Sequence, residues 1–136
     1  MAFNYNLDTE KRDFLIFGNG KPKYVMDGQG YFNKVNLITL EKLLEERFVD
    51  INDYYNDSPR ILDFLDFMKK YHSESFFVHG FVRSSNRLYC DEPVSIEGIE
   101  GENIPLEIAE DFLKQFKNAD ELDYDKETGY VRCWYD

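Results

Sequence analysis

The sequence predicts an α+β fold: a single compact domain, residues 1–136, in which a mainly antiparallel sheet of about five or six strands packs with three helices and ends in a C-terminal β-hairpin. Strand-like and helix-like segments occur in clusters, without the strict alternation that a parallel sheet requires. Of the 136 residues, 43% are hydrophobic and 17% aromatic, which is enough for one substantial core. No repeat or linker divides the chain, so we expect one domain.

The N-terminal part is predicted to form a hairpin. Asp13–Phe17 and Tyr24–Met26 have strand-like compositions, and the turn-forming sequence Gly18-Asn19-Gly20 would join them. Tyr31–Ile38 follows another turn. Its pattern is ambiguous and is compatible with an extended segment.

Three segments show the 3.6-residue spacing of apolar side chains that is typical of an amphipathic helix. Each follows a residue suited to a helix start: Thr39, the pair Ser58-Pro59, and Asn103 with Pro105 in the first turn. The predicted helices cover residues 39–48, 59–71 and 104–117.

Between the second and third helices, the sequence predicts further strands. Ser75–Arg83 is apolar on both faces of a strand, which favours a central position in the sheet. A turn at residues 84–86 would lead into a strand at Arg87–Cys90, and Pro93–Ile99 is expected to be extended.

The C-terminal stretch ADELDYDKETGYVRCWYD, Ala119–Asp136, predicts a β-hairpin with a defined register. Its four-residue loop, Lys126–Gly129, needs a positive φ at the last position, where the glycine stands. This register places Asp125 opposite Tyr130 and separates apolar from polar side chains. The core face would be Leu122, Tyr124, Val131 and Cys133, and the other face Glu121, Asp123, Asp125, Tyr130, Arg132 and Trp134.

The charge is acidic and unevenly distributed. The chain has 27 acids and 16 lysines and arginines, a net charge of −11, and nearly all of the excess falls after residue 90. Between Asp91 and Leu113 there are eight acids and no lysine or arginine. This balance argues against direct binding to nucleic acid phosphates and favours a basic partner.

Motifs for metal or catalytic chemistry are incomplete. Asp123, Asp125 and Glu127 resemble the start of an EF-hand loop, but the glycine comes one position late and Trp134 stands where a bidentate glutamate is needed. His79 and Cys90 could form a nucleophile pair on neighbouring strands, yet a hydrogen-bonded structural histidine is the simpler expectation. We therefore assign no catalytic residue, metal or cofactor, and binding is favoured over catalysis.

The sequence also predicts where the protein resides. Its first residues contain no basic segment followed by an apolar core, so no signal peptide is predicted, and the apolar runs are too short to span a membrane. Cys90 and Cys133 are too few for a disulfide framework and are expected to be reduced core thiols. These features predict a cytoplasmic protein.

Two kinds of function follow from these patterns. The first is an inhibitor whose acidic segment 91–136 docks on a basic protein surface, such as that of a nuclease or another nucleic-acid-binding protein, and blocks it by nucleic-acid mimicry. In composition the chain resembles small acidic inhibitors of phages and mobile elements, and immunity proteins that block nuclease toxins. The residues predicted to contact the partner are Glu97, Glu100, Glu102, Asp123, Asp125, Tyr130, Arg132 and Trp134. The alternative is a small intracellular enzyme or ligand-binding domain with an aromatic-lined pocket, or a subunit of a larger assembly.

Overall fold

The computed structural model describes residues 3–18, 29–55, 57–83 and 94–136. Its elements follow in the order α1 (Thr9–Phe17), β1 (Gln29–Val35), α2 (Leu37–Glu45), α3 (Ile61–Lys70), β2 (Ser75–Arg83), β3 (Val94–Glu102), α4 (Leu106–Gln115), β4 (Glu121–Asp125) and β5 (Tyr130–Trp134). The strands form one antiparallel sheet in the order β1-β2-β3-β5-β4. The predicted α+β fold with a C-terminal hairpin is confirmed, although these ranges contain four helices where three were predicted.

One face of the sheet is buried against the helices. The Phe64 ring of α3 stacks on Phe116, which follows α4, with centroids 5.6 Å apart, and Phe67 packs edge-on against Phe112. Four of the strand residues that face this layer are fully buried: Val78, Ile99, Val131 and Cys133. Each fully buried side chain of this size contributes about 2 kcal/mol, so this layer is the main source of folding free energy.

The other face carries a different set of residues, because side chains alternate across each strand. We call it the polar face. Its described members include Tyr31 and Lys34 of β1; Phe77, His79, Phe81 and Arg83 of β2; Glu97, Glu100 and Glu102 of β3; Tyr130, Arg132 and Trp134 of β5; and Glu121, Asp123 and Asp125 of β4.

The strand predicted at Asp13–Phe17 is wrong, because these residues belong to α1. The Asp8 side chain accepts a hydrogen bond from the Lys11 backbone N–H at 3.2 Å, which caps the helix start. At the other end Gly18 has a φ of +66° and its N–H donates to the Phe14 carbonyl oxygen. The short apolar run at Asp13–Phe17 is therefore the last part of a helix whose two ends are set by Asp8 and Gly18. The partner strand predicted at Tyr24–Met26 lies outside the described residues.

The predicted helices exist, but their starts differ from the predicted ones. Asn36, and not Thr39, caps α2, since its side chain accepts from the Thr39 N–H at 2.9 Å. At α3 the Asp63 carboxylate accepts from the Arg60 N–H at 2.9 Å, whereas Ser58 instead accepts from the Tyr55 N–H. The start of α4 follows Pro105 directly, without a side-chain cap.

The strands predicted after α3 agree with the structure more closely than the predicted N-terminal strand does. Ser75–Arg83 forms β2 as predicted, and it lies inside the sheet between β1 and β3. Of the extended segment predicted at Pro93–Ile99, residues 94–99 belong to β3, which continues to Glu102, and Pro93 lies outside the described residues. The strand predicted at Arg87–Cys90 lies outside the described residues. None of the helices in the described ranges combines the length and the apolar character needed to cross a membrane.

Candidate functional site

The C-terminal hairpin has the predicted register. Asp125 pairs with Tyr130 and Asp123 with Arg132, while Leu122 pairs with the buried Cys133. Gly129 has a φ of +74°, and a methyl group there would lie 2.7 Å from the Ile104 nitrogen, so the loop requires glycine. The apolar side chains of the hairpin face the core, and its polar set is therefore presented on the polar face.

Pairing of β3 with β5 extends the polar set across three strands. Gly98 lies opposite Trp134, and Glu100 lies opposite Arg132. The β2–β3 register shifts between His79 and Gly80, and Glu97 falls at this irregularity. Bulges of this kind re-aim side chains, which brings the Glu97 carboxylate to the Trp134 ring. All eight residues predicted for the partner site consequently lie on one face of β3, β5 and β4.

Aromatic donors hold two of these carboxylates. The Trp134 Nε1–H donates to Glu97 Oε2 at 3.3 Å, and the Tyr130 hydroxyl donates to Glu100 Oε2 at 3.1 Å. Burial raises the pKa of Glu97, and the Trp134 hydrogen bond partly offsets this. Burial, together with the charge of Glu100, raises the pKa of Tyr130 to about 12. The tyrosine thus remains a hydrogen-bond donor at neutral pH.

The other acids of the polar face contact cations or the backbone. Arg132 Nη1 lies 3.1 Å from a Glu121 oxygen and 3.7 Å from an Asp123 oxygen. Lys34 Nζ lies 2.7 Å from Glu102 Oε1. Asp125 differs from the rest, because its carboxylate accepts hydrogen bonds from the backbone N–H groups of residues 127 and 128 within its own turn. Its position is therefore explained by the hairpin alone.

A cavity of about 500 Å³ opens on the polar face. Its lining includes His79 and five residues predicted for the partner site: Glu97, Glu100, Tyr130, Arg132 and Trp134. The other three predicted residues, Glu102, Asp123 and Asp125, lie on the same face but do not line the cavity. The predicted set therefore divides into a cavity group and a flanking group.

His79 is the cavity residue whose position the sequence did not indicate. It is only 7% exposed, and neither ring nitrogen has a hydrogen-bond partner among the described residues. Its Nδ1 lies 4.0 Å from Glu100 Oε1, and its ring packs over Gly98, where a methyl group would lie 2.6 Å from Nε2. Burial, and secondarily the charge of Arg132, lowers its pKa to about 4. Among the described residues, no partner is found for the hydrogen bond that was expected of a structural histidine.

The donors and acceptors of this cavity suit a cation better than an anion. Among the described lining residues, two carboxylates face it, and Arg132 is already paired with acids of β4. In the described part of the chain, no group of three or more His, Cys, Asp or Glu side chains converges as a metal site would require. The possible partner of His79 in nucleophilic chemistry, Cys90, lies outside the described residues.

Comparisons with known proteins bring no relative. No protein-family model, curated protein or solved structure matches this chain.

Proposed function

We propose that the protein binds a basic partner protein through the polar face and blocks the surface that it covers. The observation that supports this proposal is the concentration of six carboxylates on one face of three paired strands: Glu97, Glu100, Glu102, Glu121, Asp123 and Asp125. A sheet holds such groups at fixed spacing, which favours a complementary array of lysines and arginines on a partner.

The cations on this face do not cancel its charge. Lys34 is paired with Glu102, and Arg132 is shared between Glu121 and Asp123. Arg83 of β2, whose guanidinium lies over the Phe81 ring, is a third cation on the described part of this face. Six acids against three cations still leave the face negative, within a chain whose net charge is −11. Such a surface accelerates association with a basic partner, and the effect weakens as salt is added.

The partner class follows from this charge. Extended basic surfaces are typical of proteins that bind nucleic acids, where lysine and arginine contact phosphates. Carboxylates on a rigid sheet would occupy the same surface, and the protein would then act as an inhibitor of a nuclease or a related protein. Cys133 is a buried free thiol, as expected in the reducing cytoplasm where we place this activity.

The proposal is tested by capture from the native host followed by measurement with the purified partner. One variant neutralises three flanking acids of the polar face with near-isosteric changes: Glu102→Gln, Glu121→Gln and Asp123→Asn. A matched control neutralises three exposed acids on the helical side: Glu41→Gln, Glu107→Gln and Glu110→Gln. We expect the first variant, but not the control, to associate with the partner more slowly than the wild type. Added salt should slow association of the wild type, and duplex DNA should displace the protein from its partner. Equal rates for all three proteins across a salt series would refute the proposal.

A second candidate function is supported by the cavity itself. Its volume of about 500 Å³ is in the range of small-molecule sites, and it is lined by His79, Tyr130 and Trp134. A ligand-binding domain would show a rise in melting temperature on addition of its ligand, without any partner protein. A screen of metabolites by thermal shift would detect this role.

A further inference from the structure

The hydrogen-bonding groups of the cavity leave mainly acceptors for a ligand. The Trp134 N–H and the Tyr130 O–H are already donated to Glu97 and Glu100, and Arg132 is engaged by acids of β4. A carboxylate offers about four lone-pair sites, so each of the two glutamates can accept further hydrogen bonds. Among the described lining residues, the cavity therefore presents two carboxylates, with the Asn33 amide as an additional donor and acceptor.

His79 adds an independent indication of a ligand. Its side chain is 9% exposed, it lines the cavity beside Glu100, and both ring nitrogens lack a partner among the described residues. Buried polar atoms nearly always have a hydrogen-bond partner, so an unsatisfied ring at a cavity wall indicates a group that binds there. A neutral imidazole has one acceptor nitrogen, which requires a donor.

The aromatic lining restricts the kind of cation. Tyr31, Tyr130 and Trp134 line the cavity, and aromatic faces attract cations and stack on flat ones. A guanidinium group is planar, always charged and carries five N–H donors, so it can serve several acceptors while stacking on a ring. An ammonium group has three donors around a point charge and cannot stack in this way.

We propose that the cavity binds an arginine side chain of the basic partner, with its guanidinium group donating to Glu97, Glu100 and His79 and stacking on an aromatic wall. This inference rests on the proposed function, because it names the residue that the partner would insert at the centre of the polar face. The flanking acids Glu102 and Asp123 would then attract the surrounding basic surface, and the cavity would hold one specific anchor.

The inference is tested with three capped tripeptides, Gly-Arg-Gly, Gly-Lys-Gly and Gly-citrulline-Gly, which need no partner. Trp134 is the single tryptophan of the chain, so its fluorescence reports occupation of the cavity. We expect saturable binding of the arginine peptide in the millimolar range, and no binding of the citrulline peptide, which has the same shape without the charge. The lysine peptide should bind at least about tenfold more weakly, since it forfeits charge-assisted hydrogen bonds.

Variants assign the binding to the cavity. Glu100→Gln and His79→Phe should each weaken the arginine peptide by about tenfold, whereas the control Glu110→Gln on α4 should change it less than about twofold. Thermal melts identify any variant that fails to fold, and Glu100→Gln then decides the test because glutamine can still accept from Tyr130. Equal affinity for the arginine and citrulline peptides, or no effect of Glu100→Gln, would overturn the inference.

Failure of this inference is separable from failure of the proposed function. If the arginine peptide does not bind while the partner still depends on Glu102 and Asp123, only the cavity assignment is wrong. If the partner is unaffected by both sets of substitutions, the polar face is not the docking surface.

Discussion

The buried histidine of the cavity predicts a specific sensitivity to acid. In the folded protein burial lowers the pKa of His79 to about 4, against 6.5 for an exposed histidine. Between these two values the unfolded chain binds more protons than the folded protein, so the free energy of unfolding falls as the pH falls through this window. Well above pH 6.5, His79 does not lower the free energy of unfolding. Well below pH 4, it lowers this free energy by about 3 kcal/mol.

Most of this loss is measurable under mild conditions. Linkage with the same two pKa values gives a decrease of about 2 kcal/mol between pH 7 and pH 5. The assay is urea unfolding at both pH values for wild type, for His79→Phe and for the control His72→Gln, which changes the exposed second histidine. Other groups that titrate in this range, including Glu97 with its raised pKa, contribute equally in all three proteins, so their effects cancel in the comparison.

The expected result is that the change in the free energy of unfolding between pH 7 and pH 5 differs among the three proteins. Wild type and His72→Gln should lose about 2 kcal/mol more than His79→Phe on going from pH 7 to pH 5. If all three proteins show the same pH dependence, His79 is not buried and neutral as the structure has it, and the description of the cavity is wrong.

Three further predictions concern the sheet and its hairpin. Gly98→Ala should destabilise the protein by about 2 kcal/mol or more, because the new methyl group would lie 2.0 Å from the Cys133 carbonyl oxygen. If a urea titration shows that the variant is as stable as the wild type, the β3–β5 pairing is contradicted. Cys133, whose pKa burial raises to about 12, should react with a thiol reagent only as fast as the protein unfolds, and fast labelling located by mass spectrometry would refute the hairpin register. Millimolar calcium should leave the melting temperature unchanged, since Asp125 is occupied in its own turn; a rise of several degrees would show a missed metal site.

The hairpin could be predicted because its information is local. Loop length, a glycine at the position of positive φ and a period-two separation of polar and apolar residues together fix one register, and Asp125 pairs with Tyr130 as expected. The apolar residues on both faces of Ser75–Arg83 were similarly informative, since β2 lies inside the sheet between β1 and β3. Patterns that span only a few residues do not depend on distant parts of the chain, so they can be interpreted from the sequence alone.

What the sequence did not reveal depends on other parts of the chain or on competing local signals. At Asp13–Phe17 a short apolar run fits a strand or a helix, and the Asp8 cap and the Gly18 end decide for the helix. His79 enters a cavity only because β3 and β5 pair beside β2 and Gly98 leaves room for its ring. Neither the pairing nor the register shift at Glu97 can be inferred from the residues around His79 alone.

The most direct test of the account locates the partner on the surface of the protein. Carbodiimide coupling labels exposed carboxylates, and mass spectrometry measures each site with and without the purified basic partner. We predict that binding protects Glu102, Glu121 and Asp123 of the polar face and leaves Glu107 and Glu110 of α4 labelled as before. Protection of the α4 acids, with the polar face still labelled, would contradict the account.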